Sequence, residues 1–216
     1  MKKLLTLLLV IVLTFCLAAC GTTDTVVNDS YNIVGTKNTQ YFAISSETLL
    51  SDLNKQLVEY DLSLSVMPSN SDMSVMLSEN GESWKILLDT LAKSEITFMR
   101  ANSIGNPKDW VGYVKEATLS TYSSGEETAK RNGQYIRALI KTFTPGEEEF
   151  VEDSIGLYGE PQKEAIIGEN VYRVTVGTVS YTYKPKQNKF IVSPYDTGLL
   201  EKLTEDSSES TVIKPE

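Results

Sequence analysis

The sequence predicts an α+β fold. One helix is expected over 46–58, antiparallel sheet segments over about 60–100 and 163–193, and two or three packing helices between them over about 107–158. Three observations predict it. Apolar residues switch between helical spacing and strict alternation along the chain. Asn80-Gly81 is a strong short hairpin signal. Strands come in runs rather than alternating one by one with helices, which argues for antiparallel pairing.

Taken in order, Tyr41–Ser45 reads as a short strand. Ser46 reads as an N-cap with Glu47 in the first turn, and Leu49, Leu50, Leu53, Leu57 and Val58 follow at helical spacing. Asp61–Met67 changes to period two through Leu62, Leu64 and Val66, and Met73, Val75 and Leu77 do the same. Trp84, Ile86 and Leu88 alternate after the hairpin. Trp84, Leu87, Leu88 and Leu91 also fit a helix, but two strands, Ser83–Asp89 and Glu95–Ala101, give the turn its returning partner.

Asn106-Pro107, with Asp109, reads as the start of a second helical region carrying Trp110, Val111, Val114 and Ala117 on one stripe. Ser124-x-x-Glu127 reads as a capping box for a helix that presents Ala129, Gly133, Ile136, Ile140 and Phe143. Thr144-Pro145-Gly146-Glu147 reads as another, leading into Phe150, Val151 and Ile155, with Gly159 and Pro161 as stops. Tyr172, Val174 and Val176 then alternate, as do Val179, Tyr181 and Tyr183, and Phe190–Ser193 closes the run. Gly177 is a turn or a bulge, and Lys184–Lys189 a polar loop. A helix followed by a meander occurs twice, although the halves share no residue pattern that establishes a duplication. The helix, Gly159-Glu160-Pro161 and following strands also resemble the small helix-plus-sheet domains of β-lactamase-inhibitor-like envelope lipoproteins.

The N-terminus carries an address. Lys2 and Lys3 precede an almost wholly apolar stretch, Leu4 to Leu17, which runs into Leu17-Ala18-Ala19-Cys20. This resembles bacterial lipoprotein signals, whose box is an apolar residue, two small residues and Cys. The resemblance implies lipid transfer to the Cys20 sulfur, with palmitate-type acyl chains, and cleavage after Ala19. Phe15 makes Cys16 a poor competing site. The stretch is shorter than the ~20 residues of a membrane span. The expected organisation is a signal peptide over 1–19, lipidated Cys20 and a flexible tether to residue 40, one domain over 41–200, and a disordered acidic tail over 201–216.

Composition excludes several functions. Removing residues 1–19 takes away two lysines and leaves 18 basic and 29 acidic residues, a net charge of −11. That balance opposes nucleic-acid binding, which needs basic surface to release counterions. After cleavage Cys20 is the only cysteine, so no intramolecular disulfide, thiolate metal cluster or free catalytic thiol is expected. The chain contains no histidine, which removes Ser-His-Asp and Cys-His catalysis and His-ligated metals. No nucleotide-binding loop or EF-hand pattern occurs. No catalytic residue, cofactor or metal is therefore expected, and only a two-carboxylate mechanism keeps the right residue types.

Three sets of residues stand out as candidate surfaces. Lys130, Arg131, Arg137 and Lys141, with Gln134, form a polar, mostly basic helix face suited to an anionic surface, or else an ordinary solvated face. Tyr172, Tyr181 and Tyr183, with Trp110, are candidates for a glycan- or protein-binding surface, or else pack in the core. Glu147, Glu148, Glu149, Glu152 and Asp153 fit the positive end of a helix dipole better than a cation site. The expected protein is a non-catalytic binding or adaptor lipoprotein on the outer side of the cytoplasmic membrane of a Gram-positive cell. Its membrane contact is the lipid on Cys20, and its partner is an envelope protein or glycan. A carboxylate-dependent glycan hydrolase, or an inhibitor or assembly factor using a sheet face, are the alternatives.

Overall fold

A computed structural model describes residues 31–36, 39–62, 74–78, 81–89, 94–103, 106–121, 125–199 and 201. The signal segment, Cys20, the expected Leu64 and Val66 alternation, Asn80, Ser124 and the tail beyond 201 lie outside the described residues. The fold is α+β, with a ten-stranded sheet whose described pairings are all antiparallel. The strands are β1 (Ile33–Thr36), β2 (Thr39–Ser45), β3 (Ser74–Ser78), β4 (Gly81–Asp89), β5 (Ser94–Arg100), β6 (Tyr113–Thr121), β7 (Ile166–Gly168), β8 (Val171–Val176), β9 (Val179–Lys184) and β10 (Lys189–Pro194). The helices are α1 (Ser46–Val58), α2 (Glu126–Phe143) and α3 (Glu148–Ile155).

The sheet order is β3-β4-β5-β6-β10-β9-β8-β7, so β6 and β10 form a seam between two meanders. The opening of β6 also takes β2, through Phe42↔Val114 and Ser45↔Tyr113, beyond the reach of β10. Register aligns two core rows across the seam. One runs Ile86, Ile96, Leu119, Phe190, Tyr183 and Tyr172; the other runs Trp84, Phe98, Ala117, Val192, Tyr181 and Val174. Because side chains alternate across a strand, both rows face the same way. There they meet Leu49, Leu53 and Leu57 of α1, Ile136, Leu139, Ile140 and Phe143 of α2, and Val151 and Ile155 of α3. The opposite row is polar apart from one isoleucine: Lys85, Thr97, Thr118, Ile191, Thr182 and Arg173.

Several local expectations are corrected. The cap of α1 is Ser45, which accepts from the Thr48 N–H, while Ser46 is the buried first helical residue. The expected tether is shorter than residue 40, because Tyr31 and Ile33 already pack on the core and β1 pairs with β2. Residues 106–117 do not form a helix. Asn106-Pro107 starts only one 3-10 turn, Lys108–Trp110, and Gly112, at φ 91°, turns the chain into β6. The helical stripe misled because Ala117, Thr118, Leu119 and Ser120 are all buried, so no alternation marks the strand.

The two expected capping boxes fare differently, since Ser124 of the first lies outside the described residues. The N-cap of α2 is Gly125. Thr144 ends α2 instead of starting α3, and its hydroxyl lies 2.6 Å from that of Tyr181. Glu147 is the N-cap of α3 without a side-chain cap bond. Gly156, left-handed at φ 66°, ends α3 ahead of Gly159, and a Cβ there would lie 2.5 Å from the Pro161 nitrogen. Gly177, at φ 56°, is a tight turn between β8 and β9.

Candidate functional site

A cavity of about 890 Å³ lies between α2 and the sheet ends around the seam. Its apolar lining comes from Leu119 of β6, Phe190 of β10, Ala129 and Ile136 of α2, and Leu157. Leu119, Phe190 and Ile136 are core residues, so the site is built on the rigid part of the fold. Its polar lining comes from Thr121, Asn132, Gln134 and Asn188, three tyrosines (Tyr60, Tyr158, Tyr183) and three cations (Lys130, Arg137, Lys189). Among the described residues, no Asp or Glu lines it.

The helix spacing explains the α2 wall. Lys130, Gly133, Gln134 and Arg137 recur at three- and four-residue intervals and share one face. Asn132 is held from the sheet, because the Ser94 hydroxyl donates to its Oδ1 at 2.7 Å. Gly133 is buried against Tyr158; a Cβ on Gly133 would collide with the Tyr158 hydroxyl. The side chain of Tyr158 thus reaches back to α2 from the chain reversal after α3, although the residue remains 69% exposed.

One end of the cavity is tied down by charge. Arg137 Nη1 donates to Glu152 Oε2 at 3.1 Å, and Nη2 lies 3.7 Å from Glu149. Glu152 is buried, and its Oε1 finds no hydrogen-bond partner among the described residues. Burial pushes the Glu152 carboxyl above its ordinary range, with Arg137 pulling the other way. Burial also raises the phenol groups of Tyr158 and Tyr183. Lys130 and Lys189, by contrast, make no ion pair among the described residues.

The structure divides the candidate surfaces read from the sequence. Of the basic face, Lys130, Gln134 and Arg137 line the cavity, whereas Arg131 does not. Lys141 is joined to Glu59, and that hydrogen bond raises its ammonium above the ordinary value. Of the aromatic set, only Tyr183 lines the cavity. Tyr172 stands beside it, ring centroids 6.5 Å apart. Tyr181 is fully buried, stacked on Phe190 at 5.9 Å, and burial raises its phenol. Trp110 lies elsewhere, 6.1 Å from the Tyr41 ring. The four aromatics therefore form no common exposed patch. The acidic run packs as a helix start, with Glu152 turned inward to Arg137.

Tyr60, Tyr158, Asn132 and Leu157 escaped the sequence reading. The signal for Tyr158 was local: a large aromatic between Gly156 and Gly159, just after a helix stop. Among the described residues, no three acidic, His or Cys side chains converge to hold a metal, and no helix is long and apolar enough to cross a membrane. No family model matches the chain, and neither a curated protein nor a solved structure is significantly similar to it.

Proposed function

We propose that this chain is an exported lipoprotein, held by lipid on Cys20 at the outer side of the cytoplasmic membrane, whose α+β domain binds a small ligand without transforming it. The anchoring part rests on Leu17-Ala18-Ala19-Cys20 and the apolar stretch before it. The binding part rests on one observation. A cavity of about 890 Å³, in the size range of small-molecule sites, combines an apolar lining with a few polar groups. The carboxylate-hydrolase alternative finds no support there, since two acids about 5–10 Å apart would have to face the substrate. The sheet-face alternative finds no exposed aromatic patch on the final strands among the described residues.

Native mass spectrometry of the full chain, purified from the envelope of its producing cell, tests both parts. The expected spectrum shows the acylated Cys20 mass and a bound small molecule. Ala129→Trp puts an indole into the groove from an exposed helix position and should remove that molecule while keeping the acyl mass. An identical, ligand-free spectrum for both proteins would overturn the binding reading. Loss of acylation should follow Cys20→Ala, and its persistence would overturn the anchor.

A further inference from the structure

We propose that the α2 cavity selects a ligand with an anionic group, a carboxylate or phosphate ester, carried on an apolar or ring-bearing body. This rests on the binding reading above and names the ligand class. The first observation is a reversal of charge. A chain with 29 acidic and 20 basic residues lines the cavity with Lys130 and Arg137 of α2 and, among the described residues, with no acid. The net charge of the protein repels an anion at long range; the Lys130 ammonium attracts one within a Debye length, ~8 Å at physiological salt.

The second observation is where that charge is still available. Arg137 already has Glu152 and Glu149. Lys130 and Lys189 have no ion pair among the described residues. Lys189 borders the cavity at the start of β10, but alternation from Phe190 turns its side chain, with that of Lys184 opposite, to the other face of the sheet. The anionic group therefore belongs at the Lys130 end of the α2 wall. The third observation concerns the body of the ligand. Leu119, Ile136 and Phe190 supply apolar contact, and Tyr158 and Tyr183 supply ring faces with hydroxyl groups.

Titration calorimetry on the full chain in phosphatidylcholine nanodiscs, with empty nanodiscs as the blank, separates the outcomes. The probes share a naphthyl body: naphthyl phosphate, naphthoate, neutral naphthyl glucoside and cationic naphthylmethylammonium. At least one anionic probe should bind about tenfold or more tighter than the glucoside, the scale of one charge-assisted hydrogen bond. Its affinity relative to the other anion identifies the preferred group. Lys130→Gln should remove that advantage and leave glucoside binding in place, and Ala129→Trp should abolish binding of every probe. Circular dichroism melting checks that the variants fold. Equal affinity for all charge types would overturn the anion assignment and leave the binding reading standing. Anion binding unchanged in Lys130→Gln or in Ala129→Trp would overturn it by placing the site elsewhere. Failure of every probe would overturn it too, and the native spectrum above then decides the binding reading separately.

Discussion

The two halves of the sheet are laid out alike and filled differently. Outward from the seam, β6, β5, β4 and β3 on one side match β10, β9, β8 and β7 on the other, and helices precede each meander. In the first half, α1 points Leu49, Leu50, Leu53 and Leu57 into the core and contains no glycine. Its partly buried cation, Arg100, lies 3.3 Å over the Trp84 ring and donates to Ser46 and Glu47. In the second half, α2 carries Gly133 on its cavity face, α3 ends in a left-handed glycine, and Glu152 is buried with one oxygen unpartnered among the described residues. The cavity opens where α2 carries Gly133 and where the chain reverses at Gly156.

The largest test of that contrast compares a phenylalanine from each half. Phe98 and Phe190 are both fully buried, but only Phe190 lines the cavity. Phe→Ala in a core costs about 3–5 kcal/mol, and more where the surroundings cannot relax or admit water. Phe98→Ala should fall near the top of that range and Phe190→Ala near the bottom, because the space it leaves joins one already open. Urea unfolding of both variants measures the difference. Equal costs, or a larger cost at Phe190, would mean that the cavity is sealed and the two halves are equally filled.

What the sequence showed follows the same divide between local and assembled features. The helix of α2 and the strands β8 to β10 were legible because their apolar residues keep one period and fall on one face. Strand β6 was not, since it sits at the seam with Ala117 to Ser120 buried on both faces. Thr144 looked like a cap because its three-residue spacing to Glu147 is local, whereas its real partner, Tyr181, is far along the chain. The basic face of α2 was legible as Lys130, Gln134 and Arg137. That it walls a cavity was not, because the opposite wall comes from Leu119, Phe190 and Tyr158, brought there only by tertiary packing.

A smaller effect is expected at Glu152, where the second half holds a buried carboxylate. Its carboxyl is raised in the fold by burial despite Arg137, so the folded state favours the neutral form more than the unfolded chain does. A raised carboxyl contributes stability that is present at low pH and lost as pH rises through its folded value. Glu152→Gln, which is neutral throughout, should therefore be more stable than the parent near pH 7. The gain should be about 1 kcal/mol, the scale of one buried unpartnered polar atom. That advantage should shrink as pH falls from neutral toward the ordinary carboxylate range. Denaturant titrations of both proteins across this window check it, and an advantage that grows on acidification would show that the Arg137 pair outweighs burial. The same change releases Arg137 from its closest carboxylate and should strengthen naphthyl phosphate binding.

The smallest effect is expected from Gly133→Ala, which makes α2 more like α1. Replacing a helix-interior glycine by alanine favours the helix by about 0.5–1 kcal/mol. The new Cβ meets Tyr158, but what it meets is the far end of an exposed side chain rather than backbone. The ring can swing away at little cost, so the thermal midpoint should rise slightly. Tyr158 would then no longer lie against α2, and naphthyl phosphate affinity should change while Lys130 stays in place. A lower midpoint would instead show that Tyr158 is fixed against α2 as part of the core, and the second half would then be as tightly filled as the first.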